Sequence, residues 1–330
     1  MPAVHVSDPW FRNTLIRDAI GLALHQAMTD DPDIHLFGEG CDMKMRFDAP
    51  AIGRDFPDRV HTLPISEDAN VNFAVGAALL GVRPVVDVIT ADFLFRAMDS
   101  ICNTAAKLDF VASAGAPRRT IVIRSEFLTD GPTTGQRPEA ILAHIPGICV
   151  AIPSTPADAH GMTLGALASP GVTVLFEDRT ILDARTKDGD RGPFAGAIPQ
   201  GVASLRRWAA RPRLTIAAYG VCRQMAEEAL TEHGIGDVDL IDLRSIQPVD
   251  WGMLRRSLAR TGRLLVIEPD VVHGGVGAEI VATLASEGML PRGARRVGAQ
   301  RTTLPASKAL HPLCMPTDAS ILAAIREAME

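Results

Sequence analysis

Cysteine is scarce in this sequence and tyrosine is almost absent: its 330 residues include five cysteines and one tyrosine. The cysteines form neither a C-x-x-C pair nor a regular framework, and the first residues lack the basic-then-apolar pattern of a signal peptide. Both absences favour a reducing cytoplasm over a disulfide scaffold. No apolar run reaches the roughly 18 residues that span a bilayer. With 47% hydrophobic and 22% charged residues, the composition predicts an ordinary soluble, globular protein outside the membrane.

An excess of positive charge is also missing. Lys and Arg number 33 against 39 Asp and Glu, which gives a net charge of −6, and the basic residues are scattered along the chain. A nucleic-acid or anionic-membrane surface needs a basic stripe or patch, so the sequence supports neither. We expect small molecules or other proteins as partners.

Strand-like and helix-like segments alternate along the chain, as is typical of parallel sheets. Helical spacing covers residues 13–29, 70–80 and 156–168, and β-rich runs lie at 34–37, 85–89, 121–123, 148–152 and 172–176. A Gly-, Pro- and Arg-rich stretch follows, and the alternation resumes at residue 214. The sequence therefore predicts an α/β fold with two parallel or mixed-sheet domains, residues 1–190 and 213–330, joined by a linker at 191–212.

One glycine-rich run, HGGVGAEI at residues 273–280, is similar in composition to a nucleotide-binding loop. It lacks the G-x-G-x-x-G spacing and a following acid at the right distance, which argues against a nicotinamide dehydrogenase. We interpret it as a tight turn that opens a helix in the second domain.

Longer strings carry a family resemblance. They are LFGEG, LPISEDANVNFAVGAALLGVRPVV, TADFLFRAMDSICNTAAK, AHIPGICVAIPSTPADAHG, IDLRSIQPVD and TGRLLVIEPDVVHGGVGAEI. In order and spacing the sequence resembles β subunits of the decarboxylating component of 2-oxo acid dehydrogenases, in the transketolase-like superfamily, over about residues 12–328. The resemblance implies a first domain that binds the aminopyrimidine of thiamine diphosphate and a second, transketolase C-terminal domain that supports assembly.

The resemblance also implies a partner. In this family a separate α subunit holds the diphosphate and its Mg²⁺, and this sequence has no GDG followed by a paired Asn, the motif that does so. An obligate α2β2 heteromer is therefore expected, acting on a small 2-oxo acid and passing the acyl unit to a lipoyl-domain acyltransferase.

Three residues are implied to serve the cofactor. Thiamine diphosphate needs a carboxyl group on its pyrimidine nitrogen, and Glu67 in PISEDAN occupies that position by resemblance, where it would exchange a proton; a helix-capping Glu is the alternative. Phe93 in TADF matches the aromatic residue that packs on the pyrimidine ring, or else is an ordinary core Phe. Glu39 in LFGEG stands where the family places an acid near the cofactor or at an interface.

The sequence departs from the family in GPTTGQRPEAILAHIPG, where relatives carry an active-site His. Counting back from HIPG places Thr134 at that position. Thr exchanges hydrogen bonds but is not a base near neutral pH, so lipoyl transfer is in doubt. Gln136 and Arg137 are candidates to bind an acidic acceptor, or are solvated loop residues.

Another departure concerns the monovalent-cation loop of some relatives. Ser169 and Gly171 stand where an Asp and an Asn would be, so neither supplies a carboxylate and we predict no metal ligand in this chain. Two alternatives to the dehydrogenase role stay open: a two-component transketolase-like carboligase, and a non-catalytic assembly subunit.

Overall fold

The computed structural model describes residues 14–39, 52–112, 118–185 and 196–330. They form two compact units, the first from Met1–Leu128 and Ile141–Gln200, the second from Thr129–Ala140 and Gly201–Glu330. The chain thus contributes a short segment, Thr129–Ala140, to the second unit before it completes the first. The predicted domain boundaries, with their single break at 191–212, do not anticipate this segment.

A parallel sheet forms the centre of the first unit. Its strands are β1 (Ile34–Gly38), β2 (Val60–Thr62), β3 (Arg83–Thr90), β4 (Thr120–Phe127), β5 (Ile148–Ala151) and β6 (Gly171–Asp178). Neighbouring strands follow the order β5-β6-β4-β3-β1-β2, and every pair is parallel. Strand β4 is buried at every position, as expected for a parallel sheet that is covered on both faces.

Helices accompany this sheet in the first unit, and one of them begins at a local signal. They are α1 (Ile16–Asp30), α2 (Ile52–Asp55), α3 (Glu67–Leu79), α4 (Leu108–Val111), α5 (Glu139–Ala143) and α6 (Pro156–Ala168), with 3₁₀ turns at Pro57–Arg59, Ala91–Ala97 and Ala105–Lys107 and a π turn at Ser100–Thr104. Helix α6 begins as the sequence predicts: the Thr155 side chain accepts the Asp158 N–H at 3.1 Å, and Pro156 takes the first helical position.

A mixed sheet forms the second unit. The elements of this unit are β7 (Ser204–Arg207), β8 (Leu214–Ala218), α7 (Gly220–Glu232), β9 (Val238–Asp242), β10 (Ser245–Gln247), α8 (Trp251–Thr261), β11 (Leu264–Val271), α9 (Val276–Ser286), β12 (Ala294–Ala299), a 3₁₀ turn at Lys308–Leu313 and α10 (Asp318–Met329), and the mixed sheet consists of β7, β8, β9, β11 and β12. The order within the unit is β12-β11-β8-β9-β7, with β7 antiparallel to β9 and the other pairs parallel. Strand β7 lies inside the predicted linker, where its partly exposed residues carry no apolar alternation.

The predicted fold class, two parallel or mixed-sheet α/β domains, is confirmed. Helix α9 begins within the run HGGVGAEI, as the interpretation of that run requires. Within the described ranges, no helix is long and apolar enough to cross a membrane.

Candidate active site

The carboxyl ends of three adjacent strands gather the predicted cofactor residues. Gly38, the last residue of β1, is in register with Thr62 at the end of β2 and with Asp87 of β3. Because parallel strands end at the same edge of a sheet, the residues that follow β1, β2 and β3 share that edge, where open α/β sheets bind ligands. Glu39, Glu67 and Phe93 all come from these segments.

Gly38 allows β1 to approach β3 closely just before Glu39. Its φ is +149°, and a Cβ at this position would lie 2.5 Å from the Asp87 carbonyl oxygen. Any other side chain would therefore overlap the backbone of β3. The glycine fixes where the chain leaves the sheet and thus where Glu39 begins.

Glu67 is a buried acid at the first position of helix α3. It is only 5% exposed although it belongs to the first turn of a helix. The helix dipole favours a negative charge at this end. Its Oε2 lies 3.5 Å from the Arg96 Nε.

Arg96 is a site residue that sequence reasoning missed. It stands three positions after Phe93 in the same 3₁₀ turn, and its side chain is 74% exposed. An ion pair with so exposed a partner contributes about 0–1 kcal/mol to stability. The Arg96 guanidinium therefore lies beside Glu67 without fixing the position of its carboxylate.

Glu39 supports the helix that carries Glu67. Its Oε1 accepts the backbone N–H of Ser66 at 3.2 Å, and Ser66 is the N-cap of α3. An acid from the end of β1 thereby satisfies one of the unpaired N–H groups at the helix start. This contact gives Glu39 a positioning role directly beside the candidate catalytic acid.

Phe93 lies in the turn that follows β3. It is 39% exposed, whereas its neighbours Asp92 and Leu94 are buried. A core Phe would be covered, so the ring face that remains open suits contact with a flat heteroaromatic group.

A buried ionic group lies in the same sheet and was not predicted. The Arg124 Nε on β4 donates to Glu177 Oε1 on β6 at 2.7 Å, and its Nη1 lies 3.9 Å from Asp87 Oδ2 on β3. Burial raises the pKa of Glu177 to about 7, although Arg124 opposes the change. Charged residues inside strands look polar in sequence, and only the sheet register shows that they neutralise one another.

The candidate acceptor residues belong to the second unit. The Thr134 N–H donates to the Gly131 carbonyl at 3.3 Å, and Gln136 is exposed. Arg137 is instead 8% exposed and donates from Nε to Glu139 Oε1 at 2.8 Å. Binding of an acidic acceptor by Arg137 stays a prediction, and this ion pair favours a structural role for it.

The segment that corresponds to the cation loop is hydrogen-bonded to the residues at the start of β4. The Thr120 hydroxyl donates to the Ser169 carbonyl at 3.0 Å, and the Gly171 N–H donates to the Arg119 carbonyl at 2.6 Å. Within the residues that the structure describes, no group of three His, Cys, Asp or Glu side chains is arranged to hold a metal ion.

Helix α3 and the residues that flank it expose several large apolar side chains. Its buried face packs on the sheet, yet Phe73, Leu79 and Leu80 are exposed, as is Ile65 just before the helix. Leu80 is 88% exposed. Large apolar side chains that stay exposed on and beside a helix are candidate contacts with another protein.

Comparison with known protein families matches both units. Residues 13–184 match the pyrimidine-binding domain of transketolase, and residues 202–321 match the transketolase C-terminal domain. The candidate acid Glu67 and the ring of Phe93 both fall within the first match.

Curated relatives cover nearly the whole chain. The β subunit 2 of mitochondrial 2-oxoisovalerate dehydrogenase from Arabidopsis thaliana is 32% identical over 93% of this chain and 87% of its own. The β subunit of acetoin:2,6-dichlorophenolindophenol oxidoreductase from Cupriavidus necator is 30% identical over 97% of this chain and 98% of its own. Among solved structures, an inactive β4 tetramer of a split-gene transketolase shares the fold with a TM-score of 0.78 at 21% identity, over 96% of this chain and 98% of that one.

Proposed function

The chain belongs to the transketolase-like family that joins a pyrimidine-binding domain to a transketolase C-terminal domain, and on this premise we propose that it is the β subunit of a heteromeric thiamine-diphosphate enzyme. The enzyme decarboxylates a 2-oxo acid and transfers the acyl unit to an acceptor. The observation that carries this proposal is a buried carboxyl group, Glu67, at the ligand-binding edge of the domain that matches the pyrimidine-binding family. Membership of the family confirms the resemblance that the sequence motifs indicate.

The residues at this edge suit a flat heteroaromatic base with a ring nitrogen. When bound, thiamine diphosphate supplies the electron sink that 2-oxo acid decarboxylation requires. The Glu67 carboxyl group would hold the pyrimidine nitrogen and exchange a proton with it, and the half-exposed Phe93 ring would provide an aromatic wall that excludes water from the base. Glu39 holds the start of α3 so that Glu67 stays in place.

A second subunit completes the site. The sequence lacks the GDG motif that binds Mg²⁺ and the diphosphate, so an α subunit supplies both contacts. The exposed apolar face of α3 supports burial against another subunit, and an α2β2 assembly is the arrangement we propose. Cys102, Cys149 and Cys314 are free thiols, which supports a cytoplasmic location, although several curated relatives are mitochondrial.

Turnover of 2-oxo acids with an artificial electron acceptor tests the proposal. We expect the α and β chains together, with thiamine diphosphate and Mg²⁺, to reduce the acceptor, and either chain alone to be inactive. If the assembled pair binds no cofactor and turns over no 2-oxo acid, the proposal fails and the role of a non-catalytic assembly subunit takes its place.

Phe93→Ala is expected to weaken cofactor binding by about tenfold, because an aromatic contact contributes about 0.5–1.5 kcal/mol beyond its buried area. Isothermal titration of thiamine diphosphate into the assembled enzyme measures this loss. Phe93→Tyr keeps the ring face and serves as the matched control, with affinity close to that of the native enzyme. Equal affinity for the Ala and native enzymes would show that this ring does not contact the cofactor.

A transketolase-like carboligase is the second candidate function, and Thr134 is the observation that favours it. In relatives, a His at this position helps transfer the acyl unit to the lipoyl group. A Thr cannot act as a base near neutral pH and so cannot take over that role. A carboligase joins the carbon unit that remains after decarboxylation of the 2-oxo acid to an aldehyde.

Thr134→His is expected to raise the transfer of acyl groups to a lipoylated carrier domain by at least about tenfold, since a positioned base contributes about 10²–10⁴-fold. Turnover with the artificial acceptor should be unchanged. Thr133→His places the same ring one residue away and is the matched control. If the native enzyme already acylates the carrier as fast as Thr134→His does, the carboligase loses its support.

A further inference from the structure

A cavity of about 320 Å³ lies in the first unit, at the opposite edge of the sheet from the candidate active site. Ile121 and Val172 line this cavity, and they stand at the amino ends of the parallel strands β4 and β6. Glu67 and Phe93 instead follow the carboxyl ends of β2 and β3. Strand β4 is eight residues long, and a strand rises about 3.3 Å per residue, so more than about 20 Å separates the two edges.

Two glycines contribute to the wall of the cavity. Gly147, in the turn before β5, has a φ of +95°, and a Cβ there would overlap the Ala106 carbonyl oxygen. The turn therefore approaches the 3₁₀ turn Ala105–Lys107 through bare backbone. Gly171, with a φ of +103°, adds no side chain to the lining, and a Cβ there would meet no atom within 4 Å. The space beside the strands thus stays open.

Most of the lining is apolar. Phe110 is 89% exposed although it lines the cavity, so its ring stands at the mouth. Small-molecule sites have volumes of roughly 300–1,000 Å³ and combine an apolar wall with a few polar groups. The apolar wall here consists of Ala105, Ala106, Leu108, Phe110, Ile121 and Val172.

The charged part of the lining consists of two arginines and one aspartate. The Arg118 Nε donates to Asp109 Oδ2 at 3.4 Å, and the Arg119 backbone N–H donates to Asp109 Oδ1 at 3.1 Å. The Arg119 Nη1 lies 3.8 Å from the same Oδ1. It is buried, and it has no hydrogen-bond partner within the described residues. Asp109 thus balances one of the two guanidinium charges in the lining and leaves the other without a counter-charge.

These groups match a small monoanion. A buried donor without an acceptor is costly, and a carboxylate satisfies a guanidinium through charge-assisted hydrogen bonds. One uncompensated positive charge suits a monocarboxylate better than a phosphate dianion, and the apolar wall suits a short hydrocarbon body. The cavity borders Gly171, in the segment that corresponds to the cation loop of some relatives. Two guanidinium groups beside it disfavour a metal cation there.

We propose that this cavity is a further binding site, which takes a small monocarboxylate with a short apolar body. The Arg119 Nη1 and the Arg118 guanidinium bind the carboxylate. Leu108, Phe110 and Ile121 contact the hydrocarbon. Aliphatic 2-oxo acids and the carboxylic acids derived from them belong to this chemical class. Binding at this site needs neither the cofactor nor a partner subunit, so its test is independent of the proposed function.

Isothermal titration of 4-methylpentanoate into the full chain without cofactor, alone and in the assembled enzyme, tests the proposal. We expect saturable binding with a Kd of about 1 mM or lower. 4-Methylpentanamide has the same shape but no charge, so it should bind at least about tenfold more weakly. Acetate, which lacks the apolar body, and inorganic phosphate should also bind at least about tenfold more weakly.

Substitutions locate the ligand. Arg119→Gln should weaken 4-methylpentanoate binding by at least about tenfold, and Arg118→Gln should weaken it less, because Arg118 is 67% exposed. Arg54→Gln is the matched control, since Arg54 is an exposed arginine of the same unit whose Nε lies 3.0 Å from Asp55 Oδ1; it should keep the native affinity. Glu67→Gln should also keep it, because Glu67 lies at the opposite edge of the sheet.

The ligand series needs only the native chain, so a misfolded variant does not leave the proposal without a test. Absence of saturable binding, equal affinity for the acid and its amide, or tighter binding of phosphate would overturn the proposal. Native affinity in both folded arginine variants, or a loss of binding in Glu67→Gln, would show that the carboxylate binds elsewhere and would overturn it as well.

Discussion

Glu67→Gln is expected to lower 2-oxo acid turnover by about a thousandfold, because proton transfer by a positioned carboxyl group contributes about 10²–10⁴-fold. Gln fills the same space and keeps a hydrogen-bonding side chain but cannot exchange a proton. Cofactor affinity and assembly should therefore change little, and the loss should appear in kcat. Steady-state kinetics with an artificial electron acceptor, together with cofactor titration, separate the two effects.

A matched control for this substitution is Glu279→Gln, which changes an exposed first-turn glutamate of α9. It should retain native turnover. The catalytic role of Glu67 would be contradicted by native turnover in Glu67→Gln, whereas a loss of both cofactor binding and folding would mean that the substitution damages the fold. The burial of Glu67 at the N-terminus of α3 makes this check necessary.

Leu80→Asp is expected to weaken assembly with the partner subunit by about a hundredfold, because an unpaired charge buried in an interface costs about 3 kcal/mol or more. Leu80 ends the exposed apolar face of α3 and contributes little to the fold of the isolated chain. The unfolding free energy of the isolated Leu80→Asp chain should therefore stay within about 0.5 kcal/mol of the native value. Light scattering of the mixed subunits measures the assembly.

Leu80→Met conserves the apolar surface and should assemble as the native chain does. If Leu80→Asp forms the same assembly at the same concentrations, the outer face of α3 is not buried between subunits. Turnover gives an independent readout, since the site needs both chains.

Local signals in the sequence are sufficient to predict the ends of a helix that has its own capping residues. Helix α6 begins and ends where its pattern predicts, because Thr155 and Pro156 mark the start. Helix α3 was predicted over residues 70–80, but it begins at Glu67. The N-cap residue Ser66 is held by Glu39, which lies 27 positions earlier in the chain, and no local pattern contains that contact.

The site was predictable only through its motifs. The resemblance placed Glu67 and Phe93, and the structure shows them following β2 and β3, the two strands that flank β1. Their roles stay predictions. The Arg124–Glu177 pair was missed because a charge that is neutralised across strands looks solvent-exposed in sequence.

The division of the chain was predicted only in part. A change in composition indicated the linker at 191–212, but strand β7 lies within it and pairs with β9. The Arg207 Nε donates to Asp239 Oδ1 at 2.7 Å across this pair. Hydrophobic periodicity does not detect a short edge strand held by such contacts.

The central claim is that this chain holds half of a thiamine-diphosphate site. Isothermal titration of thiamine diphosphate with Mg²⁺ into the β chain alone, the α chain alone and the assembled pair tests it most directly. We predict tight, saturable binding to the pair and weak or undetectable binding to the β chain alone. Tight binding by the β chain alone, or none by the assembled pair, would contradict the claim.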